Sequence, residues 1–370
     1  MIKLFMLSYI DSIHTKRWIT ALSKENFKIY LFGLNHADTS YYAQFDNVEV
    51  YNYTFKSSSN KLIDWVLGKV GYLRASQIVK KKIAAFEPDI VHAHYATSYG
   101  LLGAMSGFHP FVLSVWGSDV YGSPELSILH KVILKYNLSK ADQILSTSTV
   151  MARETNRYTS KNIVITPFGV DLDLFKKKDS IKNHDSFVIG NVKSLQQIYG
   201  IDILIKAFKL LVMNNPGVNL TLQIAGRGPE ENRLKKLAEE LGIINKVDFI
   251  GFIDHSELPK IYNGFDVAVF LSNKESFGVA AIEAMACECP VVVSDAEGFT
   301  EIVSHEYSGF IVPKQNPDAA AAAIQVFIYN RSLITQMGTY GRKQVEKLYD
   351  WNENVKQMIN IYQKMTTKNR

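Results

Sequence analysis

Short apolar runs alternate with amphipathic stretches along the chain from its first residues. In the first half, runs rich in Val, Ile, Leu and Phe predict strands at IKLFMLSY, KIYLFGL, DIVHAH, FVLSVW, QILSTS and NIVITPF. Helical periodicity between these runs predicts helices over residues 15–24, 62–86, 125–140 and 150–158. Regular alternation of strand and helix is typical of a parallel α/β sheet.

The alternation starts again after an interruption at residues 166–180, TPFGVDLDLFKKKDS. A Pro, a Gly and a lysine run break the rhythm there, so we interpret this segment as the connection between two domains. Beyond it, the pattern predicts strands at FVIGNV, NLTLQIAG, VDFIGF, DVAVFLS, PVVVSD and GFIVP. Helices are predicted over residues 201–213, 229–241, 256–264, 278–287 and 317–329, with a last one over 332–366 that is interrupted near YDWNEN.

The chain length agrees with this division, because 370 residues exceed a comfortable single core. We predict two Rossmann-like parallel-sheet domains facing a central cleft, the first over residues 1–168 and the second over residues 169–349. Open parallel sheets bind ligands beyond the carboxyl ends of their strands, so the functional residues are expected there.

Composition indicates a soluble globular protein, with 47% apolar and 21% charged residues. No stretch approaches the roughly 20 apolar residues that cross a bilayer, and the N-terminal apolar run is broken at Asp11, too early for a signal peptide. Cys287 and Cys289 lie in one apolar run without a disulfide framework, which indicates a reducing compartment. We therefore expect a cytoplasmic protein.

The net charge of +5 is distributed unevenly. Up to residue 170 there are 18 Lys and Arg against 12 Asp and Glu, whereas the remainder has 23 against 24. A basic excess on the first half favours a membrane surface or a phosphate-bearing acceptor as partner. The chain lacks the interleaving of aromatic and basic residues found in nucleic-acid binders, so nucleic acid is not expected as a partner.

The segment ESFGVAAIEA, residues 275–284, has the strongest candidate chemistry. Gly278 permits close backbone approach, and free amides from about Phe277 to Ala280 at the following helix start would suit a phosphate. Glu283, inside that helix, would accept hydrogen bonds from two ribose hydroxyls, and Glu275 would lie at the cleft edge. The alternative is that Glu275 only complements the helix dipole and Glu283 is a solvated helix residue.

This segment resembles the E-x-F-G-x₄-E-A-M-A signature of the retaining glycosyltransferases of family 4, which have the two-domain GT-B architecture. The signature positions are filled by Glu275, Phe277, Gly278, Glu283, Ala284, Met285 and Ala286. Other family motifs have counterparts in the same order: TPFGVDLDLF with Phe168 in the usual Asn position, IAGRGPEENRL, AEGFTEIV, YSGFIVPKQNPD and DWNENVKQMINIY. The last of these resembles the terminal helix, here about residues 350–370, that packs back on the first domain in this family.

The resemblance implies a metal-independent transferase without a cofactor, which takes its sugar from a UDP- or GDP-linked donor bound to the second domain. Glu283 would bind the ribose, amides at Phe277, Gly278 and Val279 the diphosphate, and Glu275 would be catalytic beside the transferred sugar. The donor loop G-x-G-P is represented by Gly226, Arg227 and Gly228. The expected acceptor is a surface polysaccharide, a lipopolysaccharide or a lipid-linked glycan. A sugar-nucleotide epimerase shares the architecture but would need no acceptor.

The chain departs from the family pattern at two places. The first loop of the second domain usually carries an Arg and a Lys, whereas here Lys193 is followed by Ser194, and the second cation position falls at Ile198 or Tyr199. We expect Lys193 to bind the donor and hypothesise that Arg227 supplies the second cation. In SVWGSD, Trp116 replaces the usual His, while Asp119 is kept and is predicted to be catalytic. These departures leave an alternative, a catalytically weakened nucleotide-sugar-binding partner in a glycosylation complex.

Three residues are expected on the acceptor side: Lys16, His94 and Trp116. Lys16 and the adjacent Arg17 would meet an anionic acceptor or, alternatively, remain solvated. His94 shares a strand face with His92, which leaves an acceptor contact, a structural role and a metal site as alternatives. Trp116 would form a wall for the sugar or belong to the core.

The lysine-rich stretch at residues 61–86 also allows two interpretations. If it is internal, its apolar face belongs to the core. If it is exposed, Leu62, Trp65 and Val66 with the neighbouring lysines would suit docking on an anionic membrane. The second interpretation would place the protein peripherally at the inner membrane face, where lipid-linked acceptors are carried.

Overall fold

The computed structural model describes residues 1–55, 61–178 and 186–367. The chain forms two compact units, one of Met1–Pro167 with Val355–Arg370 and the other of Phe168–Asn354. The domain boundaries predicted from the sequence fall within five residues of these divisions.

In the described part of the first unit, seven strands form a parallel sheet in the order β3-β2-β1-β4-β5-β6-β7. They are β1 Ile2–Leu7, β2 Phe27–Leu34, β3 Val48–Tyr53, β4 Ile90–His94, β5 Phe111–Val115, β6 Gln143–Ser146 and β7 Ile163–Ile165. The connecting helices are α1 Ile13–Ser23, α2 Lys61–Phe86, α3 Ser98–Ser106, α4 Ser118–Tyr121, α5 Ser123–Leu126, α6 Ile128–Lys140 and α7 Thr149–Thr155. The buried strand residues are almost all apolar, which explains why the strands are recognisable as near-continuous apolar runs.

The second unit contains six described strands in the order β10-β9-β8-β11-β12-β13, again all parallel. They are β8 Phe187–Val192, β9 Leu220–Ala225, β10 Val247–Gly251, β11 Val267–Phe270, β12 Val291–Ser294 and β13 Gly309–Val312. The helices are α8 Ile201–Asn214, α9 Glu231–Glu240, α10 Leu258–Gly264, α11 Val279–Ala286, α12 Glu297–Ile302, α13 Pro317–Tyr329 and α14 Ser332–Leu348. Two parallel-sheet α/β domains are therefore present, as the sequence pattern predicted.

The last helix, α15 at Trp351–Thr367, returns the chain to the first unit. Tyr362 on this helix is buried, its hydroxyl lies 2.7 Å from Nδ1 of His92 in the middle of β4, and its ring packs edge-on against Phe27. The amide of Gln357 donates to the carbonyl of Ile165 on β7. These contacts attach α15 to the sheet of the first unit.

The α2 stretch is divided between two environments. The side chains of Leu62, Trp65, Val66 and Lys69 lie outside the described residues. Further along the helix, Val70 and Leu73 are exposed, whereas four other apolar side chains belong to the core: Ala75, Val79, Ile83 and Phe86. Over the described part of the chain, no helix has both the length and the apolar composition needed to span a bilayer.

Candidate active site

The central feature of the second unit is an ion pair where its strand order reverses. Lys193 follows β8 directly, and Glu275 lies between β11 and α11; β8 and β11 are adjacent in the sheet although far apart in the chain. Lys193 Nζ lies 2.7 Å from Glu275 Oε2, and their side chains are only 15% and 10% exposed. Such a reversal creates a crevice at the carboxyl ends of the strands, which is where parallel sheets bind ligands.

Electrostatics keeps Lys193 protonated. Burial lowers the pKa of Lys193, but the attraction and hydrogen bond of Glu275 outweigh this cost and raise the pKa above its ordinary value. The ammonium also lies 4.6 Å from the centre of the Tyr199 ring. Tyr199 therefore fills a position where the family resemblance places a second cation, and its ring contacts the remaining cation.

The glycine loop after β9 holds the backbone of Lys193 in place. At Gly226, where φ is +144°, a Cβ would lie 1.9 Å from the Lys193 carbonyl oxygen, and at Gly228 it would lie 2.3 Å from the Leu195 carbonyl oxygen. The Leu195 amide donates to the Arg227 carbonyl at 2.9 Å. Because only glycine permits these approaches, Gly226 and Gly228 position the Lys193 loop.

Arg227 itself is exposed. Its guanidinium lies beside Gly251, the last residue of β10, where a Cβ built on Gly251 would be 3.7 Å from Arg227 Nε. The pKa of Glu231 is lowered mainly by its hydrogen bond and charge attraction to Lys235, while desolvation acts in the opposite direction. The charge of Arg227 lowers it a little further. The hypothesis that Arg227 supplies a second cation stays a prediction.

The start of α11 is fixed by close packing on α12. Gly278 precedes the helix with φ +105°, and a Cβ there would lie within 2.9 Å of Phe299 and Ile302. The Gly298 amide donates to the Glu275 carbonyl at 2.9 Å. The first amides of a helix have no partner within it, so the backbone at Val279 offers donors next to Glu275. The side chain of Phe277 is buried against the rings of Phe168 and Tyr349.

Glu283 lies one turn further along α11 and is buried, so the alternative of a solvated helix residue is wrong. Tyr262 donates from its hydroxyl to Oε2 at 3.1 Å, and His255 Nε2 lies 3.1 Å from Oε1. Burial and the neighbouring Glu283 raise the pKa of Tyr262 well above its ordinary value, so its hydroxyl stays a donor. Neither His255 nor Tyr262 is among the residues predicted from the sequence.

In the first unit, Asp119 is completely buried and accepts hydrogen bonds from backbone amides. Gly117 and Ala96 donate at 2.7 Å and Trp116 donates at 3.2 Å. Burial raises the pKa of Asp119, and the amide donors partly counter that rise. These contacts are those of a residue that positions the Trp116 turn, and a catalytic role for Asp119 stays a prediction.

His92 and His94 are both buried and hydrogen-bonded to hydroxyl groups. His92 lies between Tyr362 OH at 2.7 Å and Ser114 Oγ at 2.8 Å, and burial lowers its pKa to about 3. His94 Nδ1 lies 3.0 Å from Ser8 Oγ, and burial lowers the pKa of His94 well below its ordinary value. Within the described ranges, no three His, Cys, Asp or Glu side chains lie close enough together to hold a metal ion.

Trp116 and His94 line an aromatic cavity of about 360 Å³ at the carboxyl ends of the first unit's strands. Their rings lie 4.6 Å apart, and four tyrosines complete the aromatic lining: Tyr9, Tyr72, Tyr95 and Tyr99. The described lining residues are all uncharged at neutral pH. Lys16 does not line this cavity. Its ammonium lies 5.1 Å from the centre of the Tyr41 ring.

Comparison with known proteins identifies the family. Residues 174–344 match the family model of glycosyl transferases group 1, and residues 3–148 match that of glycosyl transferase 4-like proteins. The chain is 30% identical to the capsular polysaccharide biosynthesis glycosyltransferase CapM of Staphylococcus aureus over 274 residues, which is 71% of this chain and 68% of CapM. The chain belongs to the group 1 glycosyltransferases.

A second relative of this glycosyltransferase is the uncharacterized glycosyltransferase MJ1607 of Methanocaldococcus jannaschii, 32% identical over 205 residues. That match includes 54% of this chain and spans only about half, 52%, of MJ1607.

Solved glycosyltransferase structures share the fold. Sucrose-phosphate synthase from Thermosynechococcus elongatus superposes with a TM-score of 0.83 over 100% of both chains at 21% identity. Anabaena HepE in complex with UDP and glucose superposes with a TM-score of 0.81 at 18% identity, covering 98% of this chain and 100% of HepE. These neighbours are GT-B glycosyltransferases, so the predicted fold class is confirmed.

Proposed function

We propose that this glycosyltransferase belongs to family 4 and transfers a sugar from a UDP- or GDP-linked donor with retention of anomeric configuration. The observation that carries the proposal is the buried Lys193–Glu275 pair at the strand reversal of the second sheet, next to the start of α11. As a sugar–phosphate bond breaks, positive charge develops on the sugar and negative charge on the phosphate. A carboxylate stabilises the first and a neighbouring cation stabilises the second.

The donor would lie along α11. Backbone donors at its start suit the diphosphate, and Glu283, held on both oxygens by Tyr262 and His255, has further lone pairs for ribose hydroxyls. HepE, which shares the fold, was solved in complex with UDP and glucose, and this supports a nucleotide donor. Neither a metal nor a cofactor is required in this arrangement.

In the proposed step, the bond between the anomeric carbon and the diphosphate oxygen breaks while the acceptor oxygen bonds to the same face of that carbon. The acceptor's proton passes to the leaving phosphate oxygen. Lys193 would neutralise the leaving group, and its engagement by the phosphate would free the Glu275 carboxylate to stabilise the sugar. Glu275 is thus placed as an electrostatic catalyst and not as a covalent nucleophile.

The acceptor would enter the aromatic cavity of the first unit. Aromatic rings pack well against the apolar faces of sugar rings, and the uncharged lining favours a neutral glycosyl residue over a phosphate at this position. The name of CapM, a capsular polysaccharide enzyme, supports a glycan acceptor. We propose a surface polysaccharide, lipopolysaccharide or lipid-linked glycan, which would bring this protein to the inner face of the membrane.

The proposal is tested by mixing the protein with UDP- and GDP-sugars and extracted membrane glycans. We expect a thermal shift with one nucleotide, followed by transfer, with the product's anomeric configuration read by NMR. An inverted product would reject retention, and nucleotide binding without turnover on any acceptor would favour the alternative of a non-catalytic partner.

His255→Ala is expected to weaken donor binding. Removing one hydrogen bond to a charged group costs enough to raise the donor KM roughly tenfold, with kcat changed by less than about threefold. Steady-state kinetics on the identified donor measures this. His305→Ala, at an exposed histidine of the same unit, serves as the control and should leave KM unchanged. An unchanged KM in His255→Ala would mean that His255 does not position Glu283 for donor binding.

Trp116→Ala is expected to affect the acceptor alone. Loss of the aromatic wall should raise the acceptor KM roughly tenfold while the donor KM stays within about twofold. Tyr307→Ala is the control, because it removes an exposed aromatic side chain of the second unit that does not line the cavity. If Trp116→Ala raised the donor KM instead, the cavity would not be the acceptor site.

A further inference from the structure

The outward face of α6 is apolar, which is unusual for a helix packed on the surface of a domain. Ile128 is 84% exposed, Leu129 and Val132 are each 56% exposed, and Tyr136 is 40% exposed. Leu126, at the end of α5, is 72% exposed beside them. We call these five side chains the α6 surface. A surface helix normally presents polar residues outward, so this face requires an explanation.

The opposite face of α6 is already packed. Leu134 and Leu138 are completely buried in the core of the first unit. Asn137, also buried, donates from its side chain to the carbonyls of Ala96 at 2.9 Å and Thr97 at 3.1 Å. The helix is therefore anchored in one orientation, and rotation cannot bury the α6 surface within the unit.

Lysines border the α6 surface on both sides. At 100° per residue, Lys131 and Lys135 lie along one edge of the apolar face and Lys140 along the other. All three are exposed, and the Lys140 ammonium lies 5.6 Å from the Tyr136 ring. Glu125 is the single acidic residue between residues 123 and 140. The pattern is an apolar centre with a cationic rim.

We propose that the α6 surface docks this protein in the headgroup region of an anionic lipid bilayer. An interfacial helix inserts its apolar face to about 5–10 Å, while lysines at its edges reach the lipid phosphates. Tyr136 suits this depth because tyrosine is enriched at membrane–water interfaces. The α6 surface is separate from the proposed donor and acceptor sites, so docking through it does not depend on the proposed reaction.

A second copy of the chain is a less suitable occupant. Pairing two α6 surfaces about a twofold axis would bring two sets of three lysines together, with only Glu125 of each copy to oppose them in residues 123–140. The surface is also one helix face of five side chains, whereas a stable protein interface needs about 800 Å² per partner. A bilayer needs neither a large matching patch nor an opposing side chain for each lysine.

Flotation of the full-length protein with vesicles tests the proposal. Wild type should bind vesicles of equal parts phosphatidylglycerol and phosphatidylcholine, and should bind phosphatidylcholine alone weakly. The double variant Ile128→Ser with Val132→Ser should bind the anionic vesicles roughly tenfold less. Its control is Met213→Ser with Tyr329→Ser, which removes two comparably exposed apolar side chains from the second unit and should bind like wild type.

Replacing Lys131, Lys135 and Lys140 with Gln should weaken binding by about fivefold for each lysine and remove most of its salt dependence. The charge-matched control replaces Lys236, Lys343 and Lys347 on the second unit and should have little effect. The proposal is overturned if wild type does not bind anionic vesicles, or if both α6 variants bind as well as wild type. Sedimentation showing a dimer that the Ile128/Val132 variant loses would assign the surface to a second copy instead.

Discussion

Glu275→Gln is expected to lower kcat by roughly a hundred- to a thousandfold while the donor KM changes little. The substitution keeps the shape of the side chain but removes the charge that would stabilise the developing positive charge on the sugar. The amide oxygen can still accept a hydrogen bond from Lys193, and Ser272 lies beside it, so the loss of stability should be smaller than in Lys193→Met. Single-turnover transfer with saturating donor measures the chemical step directly.

The control for this variant is Glu297→Gln. Glu297 is the first residue of the neighbouring α12, is half-exposed and pairs with Lys314 at 3.5 Å, so kcat should stay within about twofold. A Glu275→Gln enzyme with more than half of wild-type turnover would remove Glu275 from catalysis. A raised KM at unchanged kcat would instead make it a binding residue.

The architecture could be predicted because the buried strands are continuous apolar runs. β3 was missed, since VEVYNY is an edge strand whose residues are mostly half-buried and so lacks that signal. α3 was missed because SYGLLGAMS contains two glycines in a short apolar run. Gly103 has a packing reason, as a Cβ there would lie 2.4 Å from the Phe111 ring. Tertiary contact, which sequence propensity does not contain, determines both elements.

The candidate site was predictable where it follows strand ends. Lys193 and Glu275 come after β8 and β11, so both were expected at the sheet edge, although their pairing follows only from the strand order. Tyr262 could not be singled out, because an aromatic residue inside α10 has the same pattern as any core residue. Asp119 could be located from the sequence, because it fills a family motif position, but its contacts could not. The structure shows that three backbone amides donate hydrogen bonds to its carboxylate.

Lys193→Met is expected to destabilise the second unit by about 3 kcal/mol, because it leaves the buried Glu275 carboxylate without its cation. This corresponds to a loss of roughly 6–12 °C in the melting temperature of that unit, measured by calorimetry. Lys206→Met is the control: its ammonium is half-exposed and lies 3.9 Å from Asp202, so the loss should be under about 1 kcal/mol.

The dependence on pH has a definite sign. Since folding raises the pKa of Lys193 above 10.5, its contribution to stability is fully present below that pH. The contribution is lost as the pH rises through the folded-state pKa. The difference between wild type and Lys193→Met should therefore be constant near neutral pH and shrink in strong alkali.

The double variant Lys193→Met with Glu275→Gln distinguishes pairing from catalysis. Removing both charges leaves no unpaired buried ion, so most of the lost stability should return, with a coupling energy of roughly 2 kcal/mol. Activity should not return, because the diphosphate then lacks its cation and the sugar its carboxylate. If stability stayed low in the double variant, the cost would come from packing of the Lys193 stem and not from the ion pair. If activity returned with stability, the pair would be a structural element and the reaction would depend on other residues.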